Sequence, residues 1–170
     1  MRVSPIGLAF DNLTRVEEEA GWSAEVTHNH PEGIKGAQAV AAAIFMARRG
    51  CNKEEITAYI AGRFGYDREV YRFHLGRSLK EIRPMWGRFE SCQDTVPVAF
   101  TLFNESSDYD DCIRQAVILG GDTDTLACIA GGIAQAFYRF IPPSIIQGAR
   151  QRLAPELLDT MDAFEQRYPL

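Results

Sequence analysis

Apolar residues recur at spacings of three and four along almost the whole of this 170-residue chain, and no segment alternates with the two-residue period of a half-buried strand. From residue 34 to 48 the pattern is Ile34, Ala37, Ala41, Ile44 and Phe45, entered through Pro31 and Glu32. Proline is tolerated in a helix's first turn, and an acid there suits the macrodipole. Gly50 stops that helix, and Asn52 with Glu55 three residues later makes a capping-box-like start for the segment reaching Phe64. Residues 65–93 are less regular and rich in arginine, with Pro84 and Gly87 as interruptions, and read as short helices or loop. Beyond them, Asp94 precedes a helix carrying Val96, Ala99, Phe100 and Phe103. Asp108 to Asp111 open another, with Ile113, Ala116 and Val117 as its inner face. The stretch from Asp122 to Phe140 carries Leu126, Ile129, Ile133 and Phe137 and is ended by Pro142-Pro143. A short helix near 143–151 and an amphipathic one over 155–168, striped by Leu157, Leu158, Met161 and Phe164, complete the chain. The expectation is one all-α domain over residues 1–170, with about seven to nine helices.

Composition narrows the function classes. Hydrophobic residues at 46% and charged ones at 24% are those of a globular chain able to bury a core. A net charge of −5 and an acidic pI near 5.2 argue against broad electrostatic binding of nucleic acid or an anionic membrane, but not against a metal ion. The apolar runs are broken well short of the roughly 20 residues a membrane span needs, and no basic segment followed by an apolar stretch opens the chain as a signal peptide would. Cys51, Cys92, Cys112 and Cys128 form no C-x-x-C pair, so a reduced, cytoplasmic protein is expected, with Cys112 and Cys128 as small core residues. Glu17-Glu18-Glu19 reads as an exposed helix end. Arg63, Arg68, Arg72, Arg77, Arg83 and Arg88 read as a solvated basic face, or as one for phosphate or a protein partner. Tyr59, Tyr66, Tyr71, Phe73 and Trp86 read as packing residues, with stacking on adenine as the alternative for an aromatic near a cleft.

Chemistry concentrates in two segments. Gly120-Gly121-Asp122-Thr123-Asp124-Thr125 puts two carboxylates and a hydroxyl beside a flexible glycine pair at a helix entry. Hard oxygen donors of this kind suit Mg²⁺, Mn²⁺ or Ca²⁺ better than zinc. Helix capping by Asp122 and a favourable dipole contact for Asp124 explain the same residues without a ligand. The second segment, Val26-Thr27-His28-Asn29-His30-Pro31-Glu32-Gly33, offers two histidines before a helix, for a metal or for a ligand's hydroxyl or phosphate groups. A polar loop capped by its Thr or Asn is the alternative.

Taken together, in order and separation, the two segments resemble the ADP-ribosylglycohydrolase family. Met1-Arg2-Val3-Ser4-Pro5-Ile6-Gly7, Thr95-Val96-Pro97-Val98-Ala99 and Ile141-Pro142 extend the resemblance over nearly the whole chain. It implies an all-α orthogonal helical bundle with two neighbouring Mg²⁺ or Mn²⁺ ions in a central cleft. It also implies hydrolysis of the glycosidic bond between ADP-ribose and a modified protein side chain. By similarity, Asp122, Asp124 and Thr125 match metal ligands, and His28 and Gly121 match positions beside the bound ADP-ribose.

The family's G-D-x-x-G and T-D-D-T segments and its catalytic acid have no counterpart here, and Gln135 and Arg139 stand where relatives often have small residues. The chain is therefore expected to correspond to the C-terminal half of such an enzyme. Its metal site would be incomplete, its catalytic residue unassigned, its metal binding weak and its hydrolysis slight or absent. Helices 37–46 and 126–137, apolar around much of their circumference, would leave a sticky surface and favour a homo-oligomer. The alternatives are a non-catalytic ADP-ribose-binding module, a structural or interaction module keeping only the fold, and a split enzyme whose missing ligands come from another chain.

Overall fold

The computed structural model describes residues 1–170 as ten α-helices and one 3₁₀ turn, without a strand, so the chain is all-α. The centre is α3 (Pro31–Arg48). Its run Ala39 to Ile44, together with Ala47, is buried, and it packs against α1 (Ser4–Ala9), α2 (Leu13–His28), α4 (Lys53–Phe64), α6 (Cys92–Glu105) and α8 (Thr123–Tyr138). Alanine makes this possible, because a helix without bulky side chains lets neighbours approach from every direction. Gly7 of α1 is the closest case. A Cβ there would lie 2.7 Å from the Ala41 carbonyl and from the Ile44 side chain.

Local signals set the helix boundaries. Pro31 occupies the first turn of α3 and His30 is its N-cap, accepting from the Glu32 amide at 3.2 Å, so neither Thr27 nor Asn29 performs that role. Asn52 and Glu55 form the reciprocal capping box of α4, and Gly65 ends it at φ +70°. In the irregular stretch, Ser78 and Glu81 cap the single turn of α5 (Leu79–Ile82), and a 3₁₀ turn over Arg83–Met85 follows. Asp108 caps α7 (Tyr109–Leu119). α9 (Pro143–Arg150) and α10 (Pro155–Arg167) close the chain.

Several faces depart from the sequence reading. Helices α3 and α8 are enclosed by α1, α2, α4, α6 and α7 of the same chain, so they do not form the exposed apolar surface expected of them. On α7 the buried residues are Cys112 and Ala116, whereas Val117 is 60% exposed. Cys112 is buried as expected, and Cys128 is exposed. The stripe of α10 stays on the surface, with no residue of α9 or α10 buried. Glu17 is no exposed helix end: it is buried inside α2, where it accepts from Tyr59 Oη at 2.5 Å and Arg63 Nη2 at 2.9 Å. The aromatics pack as expected, Phe73 meeting Trp86 and Phe89 edge-on with 5.1 Å between ring centroids in both pairs. No helix is long and apolar enough to cross a membrane.

Candidate functional site

The two polar segments singled out in the sequence, 90 residues apart, converge because α3 and α8 lie side by side with their N-terminal ends together. His28, the last residue of α2, and Asp122 and Thr125, at the entry of α8, line one cavity of about 220 Å³. Gly33, Gly36, Ala37 and Val40 of α3 form its floor with Val96 and Ile129, and Arg2, Glu90, Cys92 and Thr95 contribute polar wall. The floor glycines let neighbouring elements pack closely around the cavity. A Cβ at Gly33 would lie 2.7 Å from the His28 carbonyl, and one at Gly36 would lie 3.2 Å from Val96.

Hydrogen bonds fix the histidine side. Arg2 Nη2 donates to Thr27 Oγ1 at 3.1 Å, and that hydroxyl is 2.8 Å from His28 Nδ1, so one ring nitrogen is engaged and the other remains for a ligand. Beside Gly36, the hydroxyl of the fully buried Tyr66 has no hydrogen-bond partner, and burial pushes its titration upward.

The acidic side is built on two left-handed glycines. Gly120 and Gly121 have φ +81° and +73°, conformations open to glycine at little cost. Asp122 stands at the N-cap position of α8, yet its side chain caps no backbone amide. The simple capping explanation therefore does not account for it. The Asp122 side chain, as hydrogen-bond partner, is the main cause that holds the Asp124 carboxyl below the usual range, and the amides of Thr125 and Asp124 reinforce it. The two carboxyl groups are therefore near neighbours at the head of α8.

By donor type alone, the two carboxylates and the Thr125 hydroxyl suit an oxygen-preferring dication. They do not close a site: no three His, Cys, Asp or Glu side chains gather as a metal set anywhere in the chain. Asp124 and Gly121 are not among the cavity's lining residues; Gly121 instead packs against Trp86 and Gly87. Arg2, Glu90, Cys92 and Thr95 are cavity residues that local pattern did not single out, although Arg2 and Thr95 sit in segments of family resemblance.

Known proteins give the same direction. The sequence pattern of the ADP-ribosylglycohydrolase family matches residues 1–169. An uncharacterized protein of Archaeoglobus fulgidus is 33% identical over 94% of this chain and 55% of its own length. Human ADP-ribosylhydrolase ARH3 is 27% identical, with 81% of this chain and 48% of that protein aligned. ADP-ribosylarginine hydrolase Tri1 of Pseudomonas putida is 30% identical, over 83% of this chain and 39% of its own length. The chain thus spans about half the length of the relatives it matches. A family pattern matched over residues 1–169, on an all-helical frame that brings the two matching polar segments to one cavity, places this chain in the ADP-ribosylglycohydrolase family.

Proposed function

We propose that this chain carries the C-terminal half of an ADP-ribosylglycohydrolase site, and that its cavity takes ADP-ribose, free or attached to a modified protein. The observation that carries this reading is the meeting of His28 with Asp122 and Thr125 around one cavity, on two segments that also carry the family resemblance. His28 and the polar wall bind the ligand's hydroxyl and phosphate groups, and the glycine floor admits its ring. Asp122, Asp124 and Thr125 hold Mg²⁺ or Mn²⁺ weakly. When bound, such an ion orients the ribose hydroxyls and offsets charge developing at the bond to be cleaved.

Two carboxylates and a hydroxyl leave most of a dication's six or more positions to water. Hydrolysis by the 170 residues alone is accordingly slight or absent, and the missing donors and the catalytic acid come from a polypeptide segment outside them. The four unpaired cysteines suit a reducing, cytoplasmic setting. Self-association, no longer attributable to α3 and α8, would use exposed apolar residues such as Trp22, Val26, Val117 and Ile118.

Calorimetry with ADP-ribose, with and without Mn²⁺, tests the reading. Binding that Mn²⁺ strengthens and Asp122→Asn weakens is expected, with no release of ADP-ribose from a modified peptide. Absence of ADP-ribose binding overturns the site, and brisk release overturns the incomplete-enzyme reading. Binding that neither Mn²⁺ nor Asp122→Asn affects would favour the non-catalytic module, in which the cavity survives and the acidic pair has no role.

A further inference from the structure

Helices α3 and α8 run in the same direction. A Cβ on Gly132 of α8 would lie 3.5 Å from the Ile44 side chain of α3, and the N-terminal ends of both helices border the cavity described above. Their C-terminal ends therefore meet about 27 Å away, the length of an 18-residue helix. There Arg48, Arg49 and Arg139 surround a second cavity of about 210 Å³, completed by Pro169 and Leu170.

Ion pairing in this pocket is uneven. Arg48 and Arg49 share one carboxylate, Asp11, at 2.9 and 3.8 Å, and Arg139 pairs with none. The two helix ends contribute roughly half a negative charge each and Leu170 brings the chain's α-carboxylate to the pocket wall, yet no carboxylate lies in ion-pair contact with Arg139. Arg48 is fixed by donating to the Leu8 and Phe10 carbonyls at 2.6 and 2.5 Å, while its buried Nε has no partner.

Arg139 is the chain's one non-glycine residue at positive φ, +55°, a strained conformation for an L side chain. Its Nη2 donates to the Arg48 carbonyl at 2.6 Å, and its side chain lines the pocket. Capping the end of α3 accounts for that single bond. It does not account for Arg49 at the rim or for the unpartnered Nε. Planar guanidinium forks match the oxygens of a phosphoryl group.

We propose that Arg48, Arg49 and Arg139 form a binding site for a phosphoryl group, free or esterified, separate from the cavity that holds His28 and Asp122. The site does not depend on the proposed ADP-ribose cavity.

Calorimetry of the whole chain at low ionic strength, with inorganic pyrophosphate and with AMP as probes, tests it. Arg139→Gly is the informative variant, because glycine accepts the positive φ and the backbone is relieved rather than disturbed. It should melt at or above the wild-type temperature while binding pyrophosphate at least about tenfold more weakly and losing the AMP binding that His28→Ala leaves in place. Arg49→Gln should weaken both probes as well, and Asp122→Asn should leave pyrophosphate binding intact. No saturable pyrophosphate binding, equal binding by Arg139→Gly, or loss caused by Asp122→Asn instead would overturn the assignment. So would loss of AMP binding alone in Arg139→Gly.

Discussion

The indole Nε1 of Trp86 donates to the Gly120 carbonyl at 2.9 Å, fastening the loop that presents Asp122 and Asp124 to an aromatic cluster from a distant part of the chain. The next residue seals the contact. A Cβ on Gly121 would lie 2.5 Å from the Gly87 carbonyl and 2.7 Å from the same indole nitrogen. Trp86 is held in turn by Phe73 and Phe89, with ring centroids 5.1 and 5.5 Å away. The placement of the acidic pair is therefore a property of tertiary packing as much as of the Gly-Gly sequence.

Trp86→Phe keeps the ring packing and removes the hydrogen bond. The expected loss of stability is about 1 kcal/mol, because the Gly120 carbonyl loses its partner. For the proposed metal site, Mn²⁺ affinity should fall by about tenfold, the usual scale for losing a group that orients ligands. Thermal melts and Mn²⁺ calorimetry separate the two effects. An affinity unchanged despite the lower melting point would mean that the loop holds its shape without Trp86.

What the sequence made legible was mostly local. Pro31, the Asn52–Glu55 box and Asp108 mark helix starts that the structure keeps, because caps act within one turn. Burial was less legible. Glu17 sits among like acids and reads as solvated, and only Arg63 and Tyr59, more than 40 residues later, explain why it is inside. Val117 and Leu157 fit apolar stripes yet face outward. Periodicity states that a face exists, not that another element covers it. At the site, His28, Asp122 and Thr125 were visible as motifs, whereas Glu90 and Cys92 reach the cavity only through the path of an irregular segment.

Gly7 and Gly62 should respond oppositely to alanine. On propensity alone each change favours a helix by up to about 1 kcal/mol. At Gly62 a Cβ meets nothing within 4 Å, so Gly62→Ala should stabilise by close to that amount. At Gly7 the Cβ would lie 2.7 Å from the Ala41 carbonyl, and backbone of the central helix cannot yield as a side chain would. Overpacking of this kind costs about 1–3 kcal/mol, so Gly7→Ala should be destabilising on balance. Urea titration of the two variants gives the signs directly. Stabilisation by Gly7→Ala would mean that α1 shifts freely on α3.

The Glu17–Tyr59–Arg63 cluster predicts a loss of stability in alkali. Burial first, and the Glu17 carboxylate next, push Tyr59 from its ordinary 10 up to about 12. An acid whose folded value is raised binds its proton more strongly when folded. Its contribution is therefore complete below pH 10 and declines as pH rises toward 12. The stability difference between wild type and Tyr59→Phe should narrow over that interval. At pH 7 the variant should cost about 1–2 kcal/mol, since Glu17 keeps Arg63 but loses the phenol. A difference constant from pH 9 to 12 would show that the phenol is not engaged by Glu17 in solution.

Acid should act at the start of α7 with the opposite sign. Asp111 accepts from the Ser107 amide at 2.8 Å, and this bond is the main cause holding its carboxyl below the ordinary range. A depressed carboxyl contributes above its unfolded value of about 4 and loses that contribution as pH falls below it. Asp111→Asn preserves the acceptor and removes the charge from the helix N-terminus. At pH 7 it should cost about 0.5–1 kcal/mol, the scale of a charge–dipole contact at an exposed helix start. At about pH 3 and below, where the wild-type carboxyl is itself taking up its proton, the two proteins should approach equal stability. Urea unfolding at the two pH values measures the gap. A gap that persists undiminished in acid would place the cost of the substitution in the amide's geometry rather than in the missing charge.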